Sequence, residues 1–320
     1  MDMKINKAVV IGSGIMGHGI SQLLAAHDIN VSLVDINDQI LEKAKSLIGG
    51  NLNYMVQLDL LKESEIERIL GAINFTTDLT GSLGGAKYVL EAVTENLEIK
   101  HKVWTILSDH ADSDAILASN TSSYDINQLA EGVAHPERII GTHWFHPPPI
   151  TPCVEVIPSD EATQENIQWT MHFLTSLGKT PTLCKSAPGF VANRIQMALA
   201  KEAMALIEEG VATPAEIDRI VKTSIGFRLS AFGPIEILDM AGIDTFKSIY
   251  EYLDDTLPGD RFKPPKILDD LAEQGRLGLK TLNGFYEYGS GAADKVLRKR
   301  DRMLYRRLEM YKKELELEKN

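Results

Sequence analysis

The sequence predicts an α/β protein, with a doubly wound, mostly parallel sheet in its N-terminal part and an all-helical C-terminal part. Three observations predict this fold. Apolar runs of strand length alternate with segments of helical period up to about residue 186. A glycine-rich turn joins the first strand to the first helix. Beyond Ala187-Pro188-Gly189, helical periodicity alone remains.

A strand–helix–strand unit lies between Ala8 and Asp35. Its first strand leads directly into GSGIMG, residues 12–17. This GxGxxG pattern is typical of a Rossmann-type domain, where the glycines allow a sharp turn, close approach of a pyrophosphate and tight helix packing. The alternative interpretation is a tight turn without a ligand. The residues predicted to contact a bound dinucleotide are Gly12, Gly14, Ile15, Met16 and Gly17.

Asp35 ends the second strand of this unit. A carboxylate at that place accepts hydrogen bonds from both hydroxyls of the adenosine ribose. It would repel a 2′-phosphate, and no Arg or Lys follows it immediately. The sequence therefore predicts NAD rather than NADP as the cofactor.

The remaining elements of the sheet follow in order. A helix with an apolar face runs from Asp35 towards Leu61, and an acidic helix follows at Glu63–Leu70. Polar residues stand where strands end, the edge at which parallel sheets bind ligands. The further strands are expected at Ile73–Phe75, Tyr88–Val93, Ala115–Ala118, Ile139–His143, Val154–Ile157 and Thr182–Cys184.

The C-terminal part is predicted to contain helices only. We place Pro188 in the first turn of the first of them, where its missing N–H costs nothing. The expected domains are residues 1–186 for the cofactor, residues 187–290 for substrate binding and dimerisation, and a charged terminal helix over residues 291–320. The expected helices are Phe190–Glu209, Pro214–Thr223, Ile235–Leu253, Pro265–Gln274 and Asp294–Asn320, the last with a narrow apolar stripe.

Composition limits the partners. A formal net charge of −12 argues against nucleic acid or an anionic membrane as a partner, because both require a basic face. No apolar run approaches the length of a membrane span, and no signal peptide is recognised. Cys153 and Cys184 cannot form a disulfide framework and indicate a reducing compartment. We expect a soluble, cytoplasmic protein.

His143 is the candidate general base, because imidazole titrates near neutrality and this residue stands at a strand end facing the predicted cofactor crevice. Glu155 opens the next strand and could fix the tautomer of the imidazole. The alternatives are a structural histidine and an edge-strand carboxylate facing water.

Between about Asn6 and Tyr288 the chain carries a series of characteristic segments in a fixed order. They are IGSGIMGHGI, the acid Asp35, EAVTENLEIK, ASNTSS, GTHWFHPPPITPCVEVI, SLGKTP, PGFVANR, FGPIEILDMAGID and GLKTLNGFYEY. In these segments the chain resembles the L-3-hydroxyacyl-CoA dehydrogenases, a family that includes the 3-hydroxybutyryl-CoA dehydrogenases. The resemblance implies a Rossmann-type domain, a dimerising helical domain and hydride transfer from C3 of the substrate to NAD.

The resemblance also implies roles for individual residues. His143 corresponds to the base and Glu155 to its orienting acid. Ser122 and Asn193 correspond to the side chains near the substrate oxygen. Because Asn is a poor helix former, its place inside an apolar helix independently suggests that the amide of Asn193 has a function. A hydrogen bond that packs the helix is the alternative. The implied cofactor contacts are Glu95, Lys100, Ser122 and Lys280. For Lys100 and Lys280 the alternative is a solvated lysine on the surface.

Two departures from the family pattern leave the substrate open. His146 replaces the asparagine that contacts the nicotinamide side, and with His143 and Cys153 it raises a zinc alternative, which the spacing does not favour. Asn51 and Leu58 stand where coenzyme A binders commonly have Ser and Lys. A small non-CoA substrate, of the carnitine, gulonate or pyridine type, is therefore the alternative to a short-chain 3-hydroxyacyl-CoA. A non-catalytic NAD-binding protein is the second alternative.

Overall fold

The computed structural model of the protein describes residues 5–317. The chain divides into two compact units, Met1–Leu199 and Ala200–Asn320. This division falls inside a helix rather than near Ser186, and the three predicted domains stay a prediction. The last three residues of the predicted terminal helix, 318–320, lie outside the described residues.

The first unit contains an eight-stranded sheet of order β3-β2-β1-β4-β5-β6-β7-β8. All neighbouring strands are parallel except β6 and β7, which are antiparallel. The predicted doubly wound, mostly parallel sheet is confirmed. The strands are β1 Lys7–Ile11, β2 Asn30–Val34, β3 Ile73–Thr76, β4 Tyr88–Glu91, β5 Ile116–Ser119, β6 Ile139–Trp144, β7 Cys153–Pro158 and β8 Thr180–Leu183.

Strand β1 pairs with both β2 and β4, so the strand order reverses between β1 and β4. Connections on the two sides of this point lead away from each other and leave a crevice at the carboxyl ends of the strands. Strand β4 ends at Glu91, two residues before the predicted end at Val93. The reason is local: the N–H of Val93 donates to the Glu91 carboxylate instead of continuing the ladder.

Helices cover both faces of the sheet. Along β1, Val10 belongs to one apolar cluster and Val9 to another, because successive strand side chains point to opposite faces. Buried Ile48 and Phe173 contribute to the first cluster, and Trp104 to the second. The helices before residue 190 are α1 Ile15–Ala26, α2 Asp38–Gln57, α3 Ser64–Gly71, α4 Leu79–Leu83, α5 Leu97–His110, α6 Ile126–Ala130 and α7 Gln164–Ser176.

Between residues 190 and 317 the regular elements are helices joined by turns and loops, apart from isolated bridges among Gly278, Asn283 and Glu287. Two expectations are corrected. The single helix expected at Ile235–Leu253 is two helices, because Gly242 breaks it with a φ of 106°. Pro188 lies in a turn before the first helix, not in its first turn. The helices are α8 Ala192–Glu208, α9 Pro214–Thr223, α10 Ile225–Leu229, α11 Pro234–Ala241, α12 Ile243–Thr256, α13 Lys266–Glu273 and α14 Ala292–Leu317.

Asp239 organises the second unit. It is fully buried in α11, and its carboxylate accepts the N–H groups of Phe285 and Tyr286 at 3.0 and 2.9 Å. The hydroxyl of Tyr288 donates to it at 3.0 Å. Burial, together with this hydrogen bond, raises the pKa of that phenol. A β-carbon on Gly284 would lie 2.4 Å from the same carboxylate, so only glycine fits there. One carboxylate thus fixes the segment 284–288.

None of the helices between residues 5 and 317 combines the length and the apolar character that crossing a membrane requires.

Candidate active site

The glycine loop has the backbone that its sequence predicts. Gly12 has a φ of 94°, and a β-carbon there would lie 2.5 Å from the carbonyl oxygen of Ala92. A β-carbon on Gly17 would lie 1.7 Å from the carbonyl oxygen of Gly12. Gly14 differs, because no atom lies within 4 Å of its β-carbon position. The fold requires glycine at positions 12 and 17, whereas at position 14 glycine leaves open space at the N-terminus of α1.

Asp35 lies against this loop. Its Oδ2 accepts the backbone N–H of Ser13 at 2.6 Å and the Ser13 hydroxyl at 2.7 Å, and its Oδ1 accepts the N–H of Ile36. Ser13 is itself buried. The acid predicted to select the cofactor is therefore held in place by the loop predicted to bind the phosphates.

His143 and Glu155 lie opposite each other on antiparallel strands β6 and β7. Both side chains are about 5% exposed, and Nδ1 of His143 lies 2.7 Å from Oε2 of Glu155. Because an ionised carboxylate can only accept, Nδ1 carries a proton in this pair and Nε2 of the neutral ring has a lone pair. The rings of Phe145 and Phe190 pack on the imidazole at centroid distances of 4.6 and 5.6 Å.

The second oxygen of Glu155 accepts two backbone N–H groups, from Val191 at 3.0 Å and Ala192 at 2.9 Å. Burial acts to raise the pKa of Glu155, but the hydrogen bonds from His143 and these N–H groups outweigh it and leave the pKa below its ordinary value. Glu155 therefore stays ionised near neutral pH and can stabilise a positive charge on the imidazole.

Glu95 holds the loop that follows β5. Its Oε1 accepts the Thr121 hydroxyl at 2.6 Å, the Ser122 N–H at 2.8 Å and the Ser123 hydroxyl at 3.1 Å. Burial acts to raise the pKa of Glu95, but the bond from Thr121 and the positive charge of Lys100 lower it further than burial raises it. Glu95 is thus an ionised clamp on the predicted substrate loop.

Lys100 is not a surface lysine, the alternative that its sequence left open. Its side chain is 1% exposed, and its Nζ lies 2.9 Å from Glu91 and 3.0 Å from Glu95. Its cation is therefore paired inside the first unit.

Asn193 lies in the first turn of α8 rather than inside an apolar helix, which corrects the sequence-based placement. Its Nδ2 donates to the carbonyl oxygen of Ser122 at 3.1 Å. Residues 190–193 thus contact the His143 ring, the Glu155 carboxylate and the Ser122 loop in succession. This short segment links the acid–base pair to the serine loop.

His146 is exposed on the connection between β6 and β7. That connection is fixed by Lys179, which is buried and donates to the carbonyl oxygens of Pro148 at 2.5 Å and Thr151 at 2.9 Å. Burial lowers the pKa of Lys179, and its Nζ lies 5.7 Å from the centroid of the Trp144 ring.

Lys280 belongs to the second unit, where its Nζ lies 2.8 Å from Asp244. The structure does not bring it together with the other predicted site residues in one unit. As for the zinc alternative, residues 5–317 contain no group of three His, Cys, Asp or Glu side chains placed to hold a metal ion.

Three residues of this region have no role in the sequence-based prediction: Ser13, Glu91 and Lys179. Ser13 lies inside the glycine motif, and its hydrogen bonds to Asp35 could have been predicted because the motif and the end of β2 are adjacent. Glu91 is the last residue of the strand YVLE, which is otherwise apolar, and Glu95 follows four residues later. A carboxylate at the end of such a strand could have been predicted to be buried. Lys179 carries no signal, because a lysine near a strand start is usually solvated.

Two family models match consecutive parts of the chain. The model for the NAD-binding domain of 3-hydroxyacyl-CoA dehydrogenase matches residues 7–187. The model for the C-terminal domain of the same enzyme family matches residues 189–288. Together they match residues 7–288 apart from residue 188, which is nearly the whole region of the family resemblance.

Individual proteins agree with these matches. The chain is 37% identical over 279 residues to a probable 3-hydroxybutyryl-CoA dehydrogenase of Deinococcus radiodurans, covering 87% of this chain and 99% of the relative. It is 32% identical over 285 residues to 5-formyl-3-hydroxy-2-methylpyridine 4-carboxylate 5-dehydrogenase of Mesorhizobium japonicum, covering 89% and 91%.

Among solved structures, the 3-hydroxyacyl-CoA dehydrogenase of Archaeoglobus fulgidus superimposes with a TM-score of 0.76 at 31% identity, covering 93% of this chain and 98% of that one. The strand order, the glycine loop and both family matches lead to one assignment. This chain belongs to the 3-hydroxyacyl-CoA dehydrogenase family and has its NAD-binding domain.

Proposed function

We propose that the protein is an NAD-dependent dehydrogenase of short-chain L-3-hydroxyacyl-CoA thioesters such as 3-hydroxybutyryl-CoA, with His143 as general base. One observation carries the proposal: the buried His143–Glu155 pair with its 2.7 Å hydrogen bond. Family membership supports the thioester substrate. On this proposal the protein acts in fatty acid metabolism and is cytoplasmic.

The residues at the carboxyl ends of the strands, where the strand order reverses between β1 and β4, fit NAD. The open space at Gly14 and the N-terminus of α1 suit a pyrophosphate. Asp35, already oriented by Ser13, suits ribose hydroxyls. When bound, NAD accepts the hydride that leaves C3 of the substrate. The proposed contacts beyond the glycine loop are Glu95, Ser122 and His146, and Lys100 would act through Glu95, with which its buried ammonium group is paired.

The protein's own residues would handle the proton. Nε2 of His143 accepts the proton of the 3-hydroxyl, and Glu155 stabilises the imidazolium that results. The rings of Phe145 and Phe190 pack on the imidazole and keep it in place. Ser122 and Asn193 would hold the substrate oxygen, Asn193 being already anchored to the serine loop.

A small substrate without coenzyme A is the second candidate. On α2, Asn51 donates to Gln22 at 3.3 Å, and Leu58 at the end of the helix is about half exposed. Neither supplies the positive charge that the phosphates of coenzyme A require, and Asp59 follows. The similarity to the pyridine dehydrogenase of Mesorhizobium japonicum supports this candidate as well.

The test separates the two candidates by removing only the nucleotide of the substrate. Oxidation of NADH is measured with acetoacetyl-CoA, acetoacetyl-pantetheine, free 3-oxo acids and small aldehydes. Losing one charge-assisted phosphate contact costs about 1.5–3 kcal/mol, roughly ten- to a hundredfold in affinity. We expect acetoacetyl-CoA to exceed the pantetheine thioester by at least about tenfold in kcat/KM. Equal values, or activity with small acids or aldehydes alone, would support the second candidate.

We infer further that the protein is a homodimer formed by its helical part. Among the described residues, α8 has no buried side chain, although it carries Met197, Met204 and Ile207. Exposed apolar side chains at helical spacing are typical of an interface between subunits.

A further inference from the structure

Glu91 is a carboxylate that the proposed reaction does not use. It lies at the end of β4 and is 0% exposed. A buried carboxylate is costly unless it is paired and hydrogen-bonded. Glu91 meets both conditions: its Oε1 accepts Lys100 at 2.9 Å and the N–H of Val93 at 2.9 Å, and its Oε2 accepts the Ser119 hydroxyl at 2.7 Å.

The contacts of Glu91 lead to both loops that are predicted to bind the ligands, the glycine loop and the Ser122 loop. On one side it holds Val93, and the adjoining carbonyl of Ala92 lies against Gly12 of the glycine loop. On the other side it holds Lys100, which pairs with Glu95. Glu95 in turn accepts three hydrogen bonds from residues 121–123.

We propose that Glu91 is a positioning residue that fixes the glycine loop and the Ser122 loop relative to each other and thereby sets the affinity for NAD and NADH. It touches neither the substrate nor the proposed base. The inference rests on the proposed function for its kinetic readout, but its binding readout does not need turnover.

The test is Glu91→Gln. Lys100 keeps Glu95 as its partner in this variant, so no buried charge loses its last counter-ion. The amide keeps the size of the side chain but cannot accept from Lys100, Val93 and Ser119 together. We expect the Kd of NADH, measured by its fluorescence, and the KM for NADH each to rise by about tenfold, equivalent to about 1.4 kcal/mol. We expect kcat to stay within about threefold of the wild type, because His143 and Glu155 are untouched.

The matched control is Glu98→Gln, four residues before Lys102 on α5. Its carboxylate also pairs with a lysine, at 3.0 Å, but both side chains are more than two-thirds exposed, and an exposed pair contributes little. We expect Glu98→Gln to match the wild type in Kd, KM and Tm.

The split between kcat and KM identifies the role. A merely structural role would lower the folded fraction, and thus the apparent kcat, with KM and Kd unchanged; that result overturns the proposal. A Kd for NADH within twofold of Glu98→Gln overturns it as well. If the wild type binds NADH but reduces no 3-oxoacyl thioester, the proposed function fails, while the Kd comparison still decides the role of Glu91.

Discussion

The two units of the chain are stabilised in different ways. The first unit has a large apolar cluster on each face of its sheet, and its polar network lies at the ends of β4, β5 and β6. In the described part of the second unit, the buried apolar cluster has three members, Ile243, Leu268 and Leu271. The fully buried side chain of α11 is the carboxylate of Asp239.

This difference separates the tasks of the two units. Burial in the first unit makes ion pairs and hydrogen bonds strong, so its acid–base pair and clamps are arranged before any ligand binds. The second unit leaves much apolar surface to solvent, with Tyr252 67% and Val211 64% exposed. Its stability therefore depends on a few polar contacts and, on our proposal, on a second copy of the chain.

The largest expected effect is in the first unit. His143→Gln should lower kcat by about 10²–10⁴-fold, as loss of a general base does, while the Kd of NADH stays nearly unchanged. Stopped-flow turnover and NADH fluorescence measure the two quantities. His146→Gln should lose less than about tenfold, because His146 is exposed and not paired with Glu155.

The control for both variants is His101→Gln, an exposed histidine on α5 that should behave as the wild type. Near-normal turnover in His143→Gln would contradict the mechanism and make His146 the next base to test.

A smaller effect is expected from Asp239→Asn in the second unit. The amide cannot accept from both backbone N–H groups and the Tyr288 hydroxyl, so the free energy of unfolding should fall by about 2–3 kcal/mol. Far-ultraviolet circular dichroism reports the helices of both units, whereas tryptophan fluorescence reports the first unit alone, which contains Trp104, Trp144 and Trp169. We expect part of the circular dichroism transition to shift to lower temperature while the tryptophan transition stays where it is.

The control is Asp255→Asn, an exposed carboxylate on α12, which should change stability by less than about 0.5 kcal/mol. An equal shift of the tryptophan signal in Asp239→Asn would show that the two units unfold together, and would contradict the view that each unit is stabilised in its own way. Unchanged transitions would contradict the role of Asp239.

The smallest effect concerns the surface. Met204→Glu on α8 places a charge on the proposed interface and should weaken dimerisation by at least about tenfold, which analytical ultracentrifugation measures. Leu60→Glu is the control, because Leu60 is an exposed apolar side chain of the first unit outside that interface. A monomeric wild type at micromolar concentration would refute the proposed dimer.

Much of the fold could be predicted, because β1, β2 and the glycine turn are local patterns in which the sequence itself carries the signal. The end of β4 and the break at Gly242 could not be predicted. Hydropathy continues through Val93 and Leu253, whereas the true ends depend on the Glu91 carboxylate and on a positive φ at glycine. Such ends are set by tertiary contacts that periodicity does not report.

The candidate site, like the fold, could be predicted from the sequence only where its contacts are local. The pairing of His143 with Glu155 follows from two strands that neighbour each other in the chain, so the sequence could indicate it. Lys100 is different, because a solvated surface lysine, the alternative to its predicted cofactor contact, is excluded for a reason outside its own segment. Its burial requires Glu91 and Glu95 to be brought to one point by the end of β4.

The antiparallel pairing of β6 and β7 has a consequence for how this site can diversify. The alignment of His143 with Glu155 is fixed by ladder register, and a slip of one residue would turn either side chain to the opposite face of the sheet. Beyond Phe145, whose ring packs on His143, the connection over residues 146–152 lies outside the ladder and is anchored separately by Lys179. Insertions or replacements within residues 146–152, including the histidine at 146, can therefore alter which substrate the enzyme accepts without disturbing how it moves a proton.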